Sequence, residues 1–272
     1  MVHFQKNWSE KGKLLATLSK VSAVASWVVS KKITENNFLN RFLPFSLTSG
    51  DKFLQAKQAI FRATLFYNRT SSAFGIEAGY LNSSQKQLLT NGFESRSTEE
   101  VQAAIRTTIG TKFSTKLVLV TDTKQNLSDF LENRNYTIAS WQLKPEFSWQ
   151  PSPAFRSTLT YTLHNKRNIF KETSIEKALL NEFSMDIRWS EAIKRTLSAR
   201  FRLVTIDFEG DANSPVGYEL LEALQRGINL TWSINWQQRL SNGLQLTLLY
   251  DGRKSENQAV AHVGKVQITA LF

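Results

Sequence analysis

No cysteine occurs in the 272 residues, which removes disulfide frameworks, thiolate nucleophiles and Cys-based metal sites together. Prolines number five and glycines twelve, too few for a collagen-like or low-complexity chain. No stretch approaches the roughly 20 apolar residues of a membrane-spanning helix. The longest uncharged run, near Val21–Val29, is broken by serines. Any membrane crossing must then be made by strands, since closed barrels are the other structures that satisfy every backbone group in lipid. Nor does the N-terminus read cleanly as a secretory signal. Mixed residues including Glu10 precede Val21–Val29, and no small-residue cleavage site follows. An exported barrel without a signal implies that residues before Met1 are absent.

Acidic residues are the minority. Lys and Arg total 34 against 23 Asp and Glu, giving +11 and pI ≈ 9.8, with mean hydropathy −0.30. The positive charges are scattered, with no run longer than Lys31–Lys32, so no nucleic-acid partner is expected.

What the chain has is alternation. In Ile60–Asn68, Phe61, Ala63, Leu65 and Tyr67 share one face against Arg62, Thr64 and Phe66. In Phe155–His164, Phe155, Leu159, Tyr161 and Leu163 oppose Arg156, Thr158, Thr160, Thr162 and His164. Ile228–Gln237 is the cleanest, with Ile228, Leu230, Trp232, Ile234 and Trp236 on one side. Segments 74–82, 101–109, 115–122, 136–149, 179–189, 196–207, 244–251 and 260–272 behave alike, making eleven strands; 115–122 is ambiguous in phase. Residues 1–59 form a poorly patterned N-terminal segment, with one or two strands plus a loop, ahead of the strands of 60–272.

Charge is expected to be missing from the apolar faces of all eleven segments. Aromatics stand near the segment ends as two girdles, Trp149, Phe155, Trp189 and Trp236 at one level and Tyr80, Tyr136 and Tyr250 at the other. The polar faces would line a lumen, with Arg62, Arg106, Arg156, Arg188, Arg200 and Arg202 as its main basic residues. The lumen is either mildly anion-favouring or a plug seat, or its charges are only cross-strand pairs such as Arg188 with Glu182. Short links are expected at 69–73, 110–114, 150–154, 190–195 and 239–243, and long ones at 83–100, 123–135, 165–178, 208–227 and 252–259. Periplasmic turns and extracellular loops of a barrel sort this way.

The last segment, Val260–Phe272, puts Val266, Ile268, Ala270 and Phe272 on one face and ends on an aromatic. This resembles the C-terminal signature that the barrel assembly machinery recognises in bacterial outer-membrane proteins. Four further segments, taken as loops, are Leu88–Arg96, Asp129–Tyr136, Gly217–Gln225 and Tyr250–Ser255. They resemble segments near the C-terminus of very large outer-membrane proteins of the Bacteroidota, a family of unsettled function. The resemblance covers roughly 38–272 and implies a barrel preceded by a long periplasm-facing region.

Chemistry-bearing motifs are sparse. His164 could serve as a general base, but no motif ties a Ser or Asp to it, so lumenal polarity is the ordinary reading. His262 stands on the apolar face near the outer rim. Asp207, Glu209 and Asp211 read as a solvated loop rather than a Ca²⁺ loop. No catalytic, metal-binding or cofactor residues are assigned, and no cofactor is expected. Within Pro215–Arg226, Val216, Leu220, Leu221 and Leu224 recur near helical spacing, predicting a short helix that either covers the barrel mouth or packs on its own loop.

The expectation is therefore all-β: an antiparallel transmembrane β-barrel of about twelve strands, whole or part of a larger one, in the bacterial outer membrane. Its role would be structural or of transport or secretion type, not enzymatic. Partners would be membrane lipid and lipopolysaccharide, the assembly machinery and a periplasmic partner. A soluble all-β binding protein and a barrel hydrolase are the alternatives. Closure of the barrel by a ladder between 13–30 and 260–272 is not expected.

Overall fold

The computed structural model describes residues 20–33 and 54–270, apart from 72, 91, 173, 192, 193, 241, 242 and 257. The described chain is an antiparallel meander. Its strands are β1 (Val21–Ile33), β2 (Leu54–Tyr67), β3 (Phe74–Leu89), β4 (Gly92–Ile109), β5 (Phe113–Ser128), β6 (Tyr136–Ser152), β7 (Phe155–Asn168), β8 (Lys177–Glu191), β9 (Arg195–Glu209), β10 (Gly227–Arg239), β11 (Leu244–Ser255) and β12 (Ala261–Ala270). All twelve lie in one sheet in chain order. Among the described residues, β1 pairs with β2 alone and β12 with β11 alone, so no ladder joins 20–30 to β12; residues 13–19 and Phe272 lie outside the described residues.

The alternation fixes the faces. Register sets Phe61 beside Trp27, Ala63 beside Tyr80 and Tyr80 beside Val101 on the apolar face. The ambiguous β5 resolves: Leu117 and Leu119 join that face, while Val118 and Val120 oppose Ala104 and Gln102 on the other. In a sandwich, apolar faces are covered by a second sheet. Here Ile109, Val266 and Ile268 are 63%, 68% and 65% exposed on the apolar face of a single sheet.

The strands are longer than the alternation predicts. β3 and β4 pair out to Leu89 and Gly92, so 83–100 is no loop but the top of a hairpin. The segments 88–96 and 250–255, read as loops, are mostly strand. Segments 123–135, 165–178 and 252–259 likewise lose much of their length to β5, β7, β8 and β11, leaving 208–227 as the long link. The expected sorting of connections into short and long thus softens, and the difference between the two ends lies in the strands themselves. On β4 the apolar face runs from Val101 to Ile109; beyond it the same face carries Ser95, Ser97 and Glu99. That apolar stretch, about nine residues, matches the 9–11 of a tilted transmembrane strand. Asp207 corrects the expectation of uncharged faces, since it stands on the apolar face opposite Leu179, at the far end.

Aromatic pairs gather on the apolar face. At the turn end Phe113 stacks on Trp149 with centroids 6.4 Å apart, Trp149 meets Phe155 edge-on at 5.6 Å, and Phe155 is in register with Trp189. Trp236, in register with Leu197 and Leu248, completes this edge. Further along the same face Tyr250 Oη lies 2.8 Å from His262 Nδ1, and Trp232 lies 5.8 Å from the same imidazole. The Trp232 indole crosses Gly252 so closely that a Cβ there would lie 2.1 Å from it, which explains glycine at this position. Tyr136 departs from the expected girdle: it lies on the polar face, packed against the core described next.

Candidate functional site on the polar face

The polar face contains an apolar patch. Ile138, Ala178, Leu180, Val204 and Ile206 stand there, buried, where β6, β8 and β9 approach the far end. The sequence marks the place by doubling, Leu179-Leu180 and Leu203-Val204, so both faces are apolar over one or two residues. Such a patch must be covered, and the loop 210–226 covers it. Its helix α1 (Pro215–Leu220) buries Val216 and Leu220 against the patch, joined by Leu221, with Leu220 wholly buried. The predicted helix is present, and it packs on the sheet as well as on its own loop.

Local signals explain α1. Ser214 is its N-cap, accepting from Gly217 N at 2.9 Å, and Pro215 supplies a preset first turn. A Cβ on Gly217 would lie 2.2 Å from the Asp211 carbonyl, so the loop can fold over the helix start only at glycine. The helix ends through Glu222 (φ 53°) and Ala223 (φ 61°), two successive left-handed residues that are not glycine. Such conformations cost roughly 1–2 kcal/mol each and persist only when surrounding contacts hold them.

Those contacts are polar and come from three strands. Lys166 Nζ, on a buried β7 side chain, lies 2.8 Å from Glu222 Oε1 and 3.4 Å from the Glu219 carbonyl. His164 Nδ1 lies 3.3 Å from Glu222 Oε1, and its Nε2 lies 3.1 Å from Ser140 Oγ on β6. Ser140 donates in turn to the Asp122 carboxylate of β5. Lys124 reaches Glu219 at 3.5 Å. The hydrogen bond from His164, then Lys166, holds the Glu222 carboxyl well below the usual range, at about 2, against the opposing effect of burial.

Ser140, His164 and Glu222 have the connectivity of an acyl-transfer triad. The proton assignment differs, because the Ser140 hydroxyl hydrogen goes to Asp122. His164 is then held between Ser140 Oγ and Glu222 Oε1, with Ser140 already committed to Asp122. As it stands the cluster is a polar latch holding the loop. Sequence reasoning singled out His164 without its partners, since Ser140 and Glu222 are distant in the chain.

The six arginines expected to face a lumen all fall on the polar face of the sheet. Arg200 Nε pairs with Asp186 at 2.6 Å and Arg202 with Glu182 at 2.7 Å, not Arg188 with Glu182. Arg106 lies against Gly75 and donates to the carbonyls of Asn68 and Arg69, tying down the β2–β3 turn. Arg156 Nε donates to Ser148 Oγ at 2.9 Å. Arg188 is opposite Arg156 in register, and Arg62 is opposite Ser26 and Leu81. Val266, Ile268 and Ala270 share the apolar face of β12. Glu209 pairs with Lys177 at 3.0 Å, and Asp211 Oδ1 accepts from Asn213 N.

No protein-family model and no curated protein matches the chain. Among solved structures, the chain is similar to the translocator domain of the autotransporter NalP from Neisseria meningitidis, at 14% identity and TM-score 0.34, covering 80% of each chain. It is also similar to the beta domain of the Bordetella autotransporter Brka, at 10% identity and TM-score 0.39, covering 93% of this chain and 100% of that one.

Proposed function

We propose that the chain forms the wall of a bacterial outer-membrane β-barrel with a structural or transport- and secretion-type role, and no catalytic one. The observation that carries this is the uncovered apolar face: one sheet whose large apolar side chains are exposed over a band about nine residues long, with aromatics clustered at its turn end. Lipid is the solvent that suits such a face, and the outer membrane is where strands rather than helices span. The polar face then lines the lumen, and the loop 210–226 sits inside its outer end as a lid held by Glu222. Membrane lipid and lipopolysaccharide, the assembly machinery reading Val266, Ile268, Ala270 and Phe272, and a periplasmic partner follow as contacts. On the resemblance of its segments, we place the chain among the C-terminal barrel regions of large Bacteroidota outer-membrane proteins.

Fractionation tests the reading. Expressed behind an export signal, the protein should sediment with outer membranes, resist carbonate extraction and refold into β-structure only with detergent or lipid. Recovery as a soluble, folded protein without detergent would overturn it.

A further inference from the structure

Across the polar face of β7–β10, near the turn end, lies a hollow of about 420 Å³. Its walls include Arg156, Arg188 and Arg200, with the hydroxyls of Thr158, Ser198 and Ser233 between them. Register places Arg156 directly opposite Arg188, and Arg188 opposite Ser198. Like charges directly opposite one another across a strand pair are destabilising. The nearest carboxylate, Asp186, is paired with Arg200. Arg156 is committed through Nε alone, to Ser148. Two arginines in register thus line the hollow together with three hydroxyls and one carboxylate that is already paired.

We propose that this hollow binds a tetrahedral oxyanion, inorganic phosphate or a phosphate monoester, bridged by Arg156 and Arg188. A dianion turns the mutual repulsion of the two arginines into shared attraction, and guanidinium forks match phosphate oxygens two at a time. The hydroxyls of Thr158, Ser198 and Ser233 supply donors for the remaining oxygens. The site rests on the barrel reading, because it needs the polar face to enclose water rather than meet a covering protein layer.

The test uses the protein folded in detergent, its β-structure verified by circular dichroism, titrated calorimetrically with inorganic phosphate, glucose 6-phosphate and glucose. The expected result is saturable binding of one or both phosphates and none of glucose; the tighter of the two names the source. Arg188→Gln and Arg156→Gln should each weaken binding about tenfold, the loss of one charge-assisted contact. Lys265→Gln, elsewhere on the polar face, should leave it unchanged. Phosphate should also raise the wild-type melting temperature, independently of the variants. A folded protein that binds neither phosphate overturns the site and leaves the barrel standing, as does equal weakening by Lys265→Gln, which would mark diffuse charge. Failure to fold in detergent overturns both.

Discussion

Lys166 of β7 and Glu222 of the loop 210–226 meet at 2.8 Å, joining a buried ammonium on the sheet to a carboxylate on a left-handed backbone position. The pairing ties two consequences together. Loss of Glu222 leaves Lys166 buried with only the Glu219 carbonyl, and it removes the contact that keeps residues 222 and 223 in their strained conformation.

Glu222→Gln should therefore loosen the lid without unfolding the sheet. The expected loss is about 1–3 kcal/mol of docking free energy, the cost of leaving a buried polar partner unpaired. Amide exchange at Val216–Leu221 should accelerate while exchange in β8 and β9 stays slow. Equal acceleration in both would mean that the loop and the wall open as one unit.

Acid should release the lid by the same contact. The Glu222 carboxyl is held at about 2, below the ordinary value of roughly 4.3, so its stabilising effect is fully present above pH ~4.3 and is lost as pH falls towards 2. The chain has no cysteine, and Tyr218 is 65% exposed, so Tyr218→Cys carries a single dye. Its emission should be flat from pH 7 to 5 and change between pH 4 and 2. A change confined to the range above pH 5 would mean that Glu222 does not hold the loop.

Leu220, wholly buried, anchors α1 by packing alone. Leu220→Ala should weaken docking by about 2–4 kcal/mol through the cavity it leaves. Dye emission from Tyr218→Cys would report an undocked loop at neutral pH.

The two faces of one strand give a sharper contrast. Leu246 and Ile234 stand on the apolar face, Thr247 and Ser233 on the polar one. Leu246→Arg or Ile234→Arg should cost up to roughly 2–4 kcal/mol on the lipid-facing side, and Thr247→Arg or Ser233→Arg much less. Refolding into lipid vesicles under urea titration measures both pairs.

Much of the sheet was legible because its faces obey one rule over the band: apolar out, polar in. From Phe61 to Ile268 that period holds wherever lipid is the proposed solvent. It fails beyond the band, where both faces are polar, as in Ser95–Glu100, and a strand looks like a loop. It fails again where both faces are apolar, as at Leu179-Leu180, because the inner residue answers to α1 rather than to the membrane. β1 was hard to place for a related reason: its polar face carries Val24 and Val28, which blurs the alternation. The latch was illegible for a different reason. Ser140, His164 and Glu222 are brought together by strand register and loop closure, and no spacing in the chain encodes that.

The hairpin of β3 and β4 has one more consequence. From Gly92 to Glu100 it continues for nine residues past the apolar stretch of β4, about 30 Å along the strand at the usual rise of roughly 3.3 Å per residue. With the band in hydrocarbon, this extension projects beyond it as a stiff hairpin, the backbone of β4 paired with β3 and β5. Its side chains are tied into the sheet, Arg96 to Glu94 and Asn126, and Glu99 to the Tyr80 hydroxyl, so the extension is held as firmly as the strands it prolongs.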